Sequence, residues 1–76
     1  MMEVRRLRTN HAALWRVIYI ARGEKQAREI EELLTQAGFM VDRKRLTSEL
    51  STDDVEIKAL DSEAAEARLY LLEHGY

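Results

Sequence analysis

Cysteine is absent from this chain of 76 residues, and histidine occurs only twice. Without cysteine there is no disulfide staple and no thiolate metal site, which excludes the small secreted disulfide scaffolds. Long apolar runs are absent too. The longest uninterrupted one is Val17-Ile18-Tyr19-Ile20-Ala21, far short of the roughly 20 residues that span a bilayer. The arginines near Met1 are followed by no apolar run and no small-residue cleavage site, so the segment does not read as a secretory signal, and a cytoplasmic protein is expected. A domain of this length buries only about 60% of the surface its unfolded chain exposes. That excludes a multi-domain enzyme with a large cofactor cleft of its own. What remains, with 46% hydrophobic and 34% charged residues, is one small soluble globular domain.

The formal net charge of −2 hides an asymmetry. Residues 1–45 carry ten Arg or Lys against six Asp or Glu, hence +4, while residues 46–76 carry two against eight, hence −6. The basic residues concentrate in Arg5-Arg6-Leu7-Arg8 and in Arg43-Lys44-Arg45. Such a patch attracts phosphate or an acidic partner. The plainer reading is that the two halves complement each other, within one chain or across a dimer.

Along the chain, residues 1–13 show no sustained period and read as a flexible arm ahead of a single domain over residues 14–76. Leu14-Trp15-Arg16-Val17-Ile18-Tyr19-Ile20-Ala21 is rich in β-branched and aromatic residues and too short for a helix, so a strand is predicted. Arg22-Gly23 breaks it. A helix is predicted over 24–37, with Ala27, Ile30, Leu34 and Ala37 on one stripe, Leu33 widening it, and Gly38 as a left-handed stop followed by Phe39. A second strand is predicted over 39–46, apolar at its start and basic at its end, and a polar loop over 47–54. Val55-Glu56-Ile57-Lys58-Ala59-Leu60 alternates cleanly as a third strand, with Val55, Ile57 and Ala59 inward. Asp61 or Ser62 is expected to cap a last helix over 62–74, burying Ala65, Leu69 and Leu72 with help from Ala64 and Leu71.

The order β-α-β-β-α, with a right-handed first crossover and a hairpin, predicts an α+β fold of ferredoxin-like type that lacks its last strand. Three antiparallel strands stand in order 1-3-2 with two helices on one face. The first strand is apolar on both faces, yet helices cover only one. Either Trp15, Val17 and Tyr19 lie bare, or Ile18 and Ile20 do. Its outer edge is also free, and long open apolar edges are surfaces that proteins cover. A homodimer is the simplest cover, with Trp15, Val17 and Tyr19 as the candidate dimer or partner surface.

Chemistry-bearing patterns are sparse. His11 falls in the arm and His74 at a helix end, where capping of carbonyls suits it. Neither has a spaced carboxylate or second ligand, so no catalytic residue, no metal and no cofactor is expected. Asp53-Asp54 lacks the alternating ligands and central glycine of a calcium loop. Arg22-Gly23 lacks the spacing of a phosphate loop, but it sits where strand gives way to helix and free amides can hold an anion. Arg22, Gly23, Arg43, Lys44 and Arg45 are therefore the candidate residues for a small anionic ligand. A nucleic-acid sheet of this class would present aromatics on its first and third strands. Here the first offers Trp15 and Tyr19, while the third offers Glu56 and Lys58 and no aromatic, so nucleic acid is the lesser expectation.

The run Trp15-Arg16-Val17-Ile18-Tyr19-Ile20-Ala21, the acidic helix ending Leu33-Leu34 through Gly38-Phe39-Met40-Val41, then Val55-Glu56-Ile57 and Ser62-Glu63-Ala64-Ala65-Glu66-Ala67 together resemble a family. It is the group of small prokaryotic signal-transducing proteins of unknown function, distantly similar in fold to the nitrogen-regulatory P-II proteins. The resemblance covers residues 14–73. It implies a bacterial, cytoplasmic, ferredoxin-like domain with no established activity and no catalytic residues to carry over. The function expected is thus a small non-enzymatic regulatory or protein-interaction module that takes a small anionic ligand near the turn after the first strand. The alternative is a nucleic-acid-binding domain using the open sheet face and the basic second strand.

Overall fold

The computed structural model describes residues 14–46 and 53–76. Strand β1 (Trp15–Arg22), helix α1 (Glu24–Gln36), strand β2 (Val41–Arg45), strand β3 (Asp54–Leu60) and helix α2 (Ala64–Glu73) follow in that order, with a 3-10 turn over Asp61–Glu63 leading into α2. The three strands form one antiparallel sheet in order β1-β3-β2, and both helices pack on the same face. This is the ferredoxin-like arrangement predicted from the alternation of periods. The proposed arm over 1–13 and most of the proposed loop over 47–54 lie outside the described residues.

Local chemistry places the elements. Gly23, with φ of +94°, turns the chain from β1 into α1 in a region where a Cβ is strained. Gly38, with φ of +98°, ends α1. There the Phe39 N–H donates to the Leu34 carbonyl and the Gly38 N–H to the Thr35 carbonyl, the paired bonds of a left-handed helix stop. The same pattern recurs after α2, where Tyr76 donates to Leu71 and Gly75 to Leu72. These two stops aim Phe39 and Tyr76 back at the core, and both pack against it.

The core is thin. Ile18, Ile30, Leu34, Val55, Ile57 and Leu71 provide its bulk, and five of its eleven buried residues are alanines, at 21, 27, 59, 64 and 67. Small side chains let the helices lie close to the sheet, at the cost of buried apolar area. In α1 the stripe of Ala27, Ile30 and Leu34 is buried as its spacing predicts, with Leu33 half-buried beside it, while Ala37 caps the helix and stays exposed.

Two expectations about facing are overturned. Strict alternation along β1 placed Trp15, Val17 and Tyr19 together. The pairing with β3 instead runs Val17↔Lys58 and then Tyr19↔Ile57, leaving Ile18 as the extra residue of a β-bulge. A bulge lets consecutive side chains point to one face. Ile18, Tyr19 and Ala21 therefore turn toward the helices, and Trp15, Val17 and Ile20 toward the open face.

The second correction concerns α2. Ala64, Ala67 and Leu71 are buried, whereas Ala65, Leu69 and Leu72 are exposed, Leu72 at 68%. Alanines and leucines are spread around this helix among Glu66, Arg68 and Glu73, and close approach to the sheet selects the small residues over the larger leucines. Nor does Asp61 or Ser62 cap this helix through its side chain. Asp61 is engaged by Arg16, whose Nε lies 2.6 Å and Nη2 2.5 Å from Oδ1. Glu63 Oε1 accepts from the Met40 N–H at 3.1 Å, tying the start of α2 to the approach of β2.

Candidate functional site

Each face of the sheet receives one set of the residues singled out in the sequence. On the helix side, β2 presents Val41, Arg43 and Arg45, the partners of the inward Ala59, Ile57 and Val55. Arg43 reaches α1, with Nη1 2.9 Å from Glu24 Oε2 and Nε 3.2 Å from Glu31 Oε1. Arg45 Nη2 stands 3.8 Å from the other oxygen of Glu24. The Nη1 contact is close but badly angled, so that this N–H, buried from solvent, has no aligned acceptor. Glu24 is the first residue of α1, next to Gly23, and it lines a polar cleft with Arg43, Arg45 and Val55.

The five residues proposed for an anion thus divide. Arg43 and Arg45 meet at the β1–α1 turn beside Gly23. Lys44 points to the opposite face, across the ladder from Glu56, and Arg22 stands at the end of β1 in register with Asp54 without an ion pair to it. The carboxylate of Glu24 already holds the anion's place between the two guanidiniums. It also sits in the first turn of α1, where the helix dipole favours negative charge. The chain supplies an internal anion to its own basic strand.

On the open side, β3 presents Glu56 and Lys58, flanked by Lys44 and Asp42 of β2. Asp42 faces Lys58 and Lys44 faces Glu56 across the ladder, and Lys58 Nζ lies 4.0 Å from Glu56 Oε1 along the strand. The four charges form a checkerboard with no net charge. Beside it, along β1, run Trp15, Val17 and Ile20, with Leu60 opposite Trp15. Val17 is 39% exposed and Ile20 42%. Trp15 and Val17, two of the three residues proposed as a partner surface, share this strip. Tyr19 does not: it is on the helix side, with its ring edge-on to Tyr76 at 5.8 Å. Ile20 takes its place, a residue the sequence set on the other face with Ile18, because the bulge that swaps the two leaves no mark in hydrophobic periodicity.

The remaining candidates stay apart from one another. His74 donates from Nδ1 to the Tyr70 carbonyl at 2.8 Å and stacks on the Tyr70 ring at 4.2 Å, the capping role its position suggested. Among the described residues no group of three or more His, Asp or Glu is placed to hold a metal ion, and no helix is long and apolar enough to cross a membrane. Comparison of the chain with protein-family models, with curated proteins and with solved structures finds no match.

Proposed function

We propose that this protein is a small non-enzymatic interaction module of regulatory type that self-associates through the open face of its sheet. The observation that carries the reading is the strip of Trp15, Val17, Ile20 and Leu60 beside a neutral checkerboard of Asp42, Lys44, Glu56 and Lys58. An apolar strip of this kind on a monomer is a contact surface. A second copy fits both parts of it. The strip meets its own image, and the alternating charges allow each lysine of one copy to approach a carboxylate of the other as two sheets stack about 10 Å apart. With so thin a core, burial at roughly 25 cal/mol per Å², reduced by association entropy, contributes to the stability of the fold itself. The resemblance to small signal-transducing proteins supports a role of this kind.

A small anionic ligand near the β1–α1 turn has Arg43 and Arg45 to work with, and it must displace Glu24 to reach them. Nucleic acid is supported less, because Arg43 and Arg45 turn away from the open face and are spent on Glu24 and Glu31. Sedimentation equilibrium tests the reading. The expected result is a dimer at tens to hundreds of micromolar that Ile20→Asp converts to monomer. A monomer across that range, with Ile20→Asp leaving the melting temperature unchanged, overturns it.

A further inference from the structure

Strand β1 pairs on one side only, with β3. Along its other edge, eight residues of backbone have no strand beside them among the described residues. The two edges of the sheet differ in character. On β2 the edge carries Asp42, Arg43, Lys44 and Arg45 in succession, and charges of that density discourage strand addition. On β1 no charge falls between Arg16 and Arg22.

The open edge is also roofed. Helix α2 turns its Tyr70 flank toward Phe39 on the β2 side, which leaves the opposite flank over the outer edge of β1. There Arg68, Leu71, Leu72 and Tyr76 close over Ile18 and Tyr19 to form an apolar cleft of about 200 Å³. Beside it the strand edge offers a row of backbone N–H and C=O groups, which an extended chain pairs with and a helix does not. A second copy adding its own β1 antiparallel here would bring the Arg16 end of one strand against the Arg22 end of the other, like charge beside like. The place beside β1 suits a strand of different charge.

Charge narrows the occupant further. Arg68 borders the cleft and Arg22 closes the far end of β1, and neither has a carboxylate partner among the described residues. The acidic residues of α2, Glu66 and Glu73, border a different surface with Phe39, Leu69 and Tyr70. From these observations we infer that the β1 edge is a docking site for an extended peptide segment of a partner protein, apolar on the side facing α2 and bearing carboxylates near its ends. The segment adds to the sheet as a fourth strand, with main-chain bonds supplying affinity and the cleft and arginines supplying selection. The site goes beyond self-association, for it uses the edge and the helix side and leaves the open face free.

The probe is a synthetic peptide of alternating Thr and Val with Glu at both ends, titrated into isotope-labelled full-length protein and followed by amide NMR shifts. Saturable shifts are expected along the β1 amides and at Arg68, Leu72 and Tyr76, with a dissociation constant below about 1 mM. A peptide ending in Lys should bind about tenfold more weakly, and one N-methylated along one edge should not bind. Arg68→Glu, at an exposed position, should reverse the preference between Glu and Lys ends. No saturation at about 1 mM, equal binding of the N-methylated peptide, or an unchanged charge preference in Arg68→Glu overturns the inference. Shifts confined to Trp15, Val17 and Ile20 also overturn it. None of these results bears on self-association, which sedimentation measures without any peptide.

Discussion

Tyr76 stands edge-on to Tyr19, with ring centroids 5.8 Å apart and planes at 86°. The contact joins the residue displaced by the β1 bulge to the residue that the Gly75 turn folds back from α2. Edge-to-face pairs contribute about 0.5–1.5 kcal/mol beyond their buried area. A double-mutant cycle of Tyr19→Leu and Tyr76→Leu, read by urea unfolding, should show a coupling of that size. Additive effects would mean that the rings merely fill space.

The two leucines at 71 and 72 are adjacent in sequence and opposite in consequence. Leu71 is 1% exposed and Leu72 68%. Leu71→Ala should cost about 2–5 kcal/mol, a large share of the 5–15 kcal/mol that holds such a domain folded. Leu72→Ala should change stability by less than about 0.5 kcal/mol. Thermal denaturation of the two variants side by side makes the comparison, and similar losses would contradict the orientation of α2.

Much of the fold was legible in the sequence because several elements carry one unambiguous period. In β3, Val55, Ile57 and Ala59 alternate with charged residues, and in α1 the stripe of Ala27, Ile30 and Leu34 has no rival. Where apolar residues fall on more than one side of a segment, periodicity does not choose a face. In α2 the stripe of Ala65, Leu69 and Leu72 competed with Ala64, Ala67 and Leu71, and the outcome depended on how near the helix lies to the sheet. In β1 the outcome depended on one inserted residue, Ile18, whose effect is defined only by the register against β3. The candidate anion site was half legible. The sequence brought Arg43 and Arg45 to notice, but only the fold shows that Glu24 reaches them across the crossover.

That internal anion makes a testable difference. Glu24→Gln removes the carboxylate shared by Arg43 and Arg45 while keeping the shape of the side chain. With these groups more than a third exposed, except Arg43 at 31%, the loss of stability should be at most about 1 kcal/mol. The freed guanidiniums should then gain from added phosphate, raising the melting temperature above that in chloride of equal ionic strength. The unsubstituted protein should respond to the two salts alike. Calorimetry in matched buffers checks this, and the same phosphate response in both proteins would show that Glu24 does not occupy the site.

The most direct measurement of self-association is an isotope-filtered NOE experiment on a mixture of labelled and unlabelled copies. Contacts are predicted between the Val17 and Ile20 methyl groups of a labelled copy and the Trp15 indole of an unlabelled one, and they should vanish in Ile20→Asp. Intermolecular contacts located only at α2, or none in a sample that sediments as monomer, would contradict an interface on the open face of the sheet.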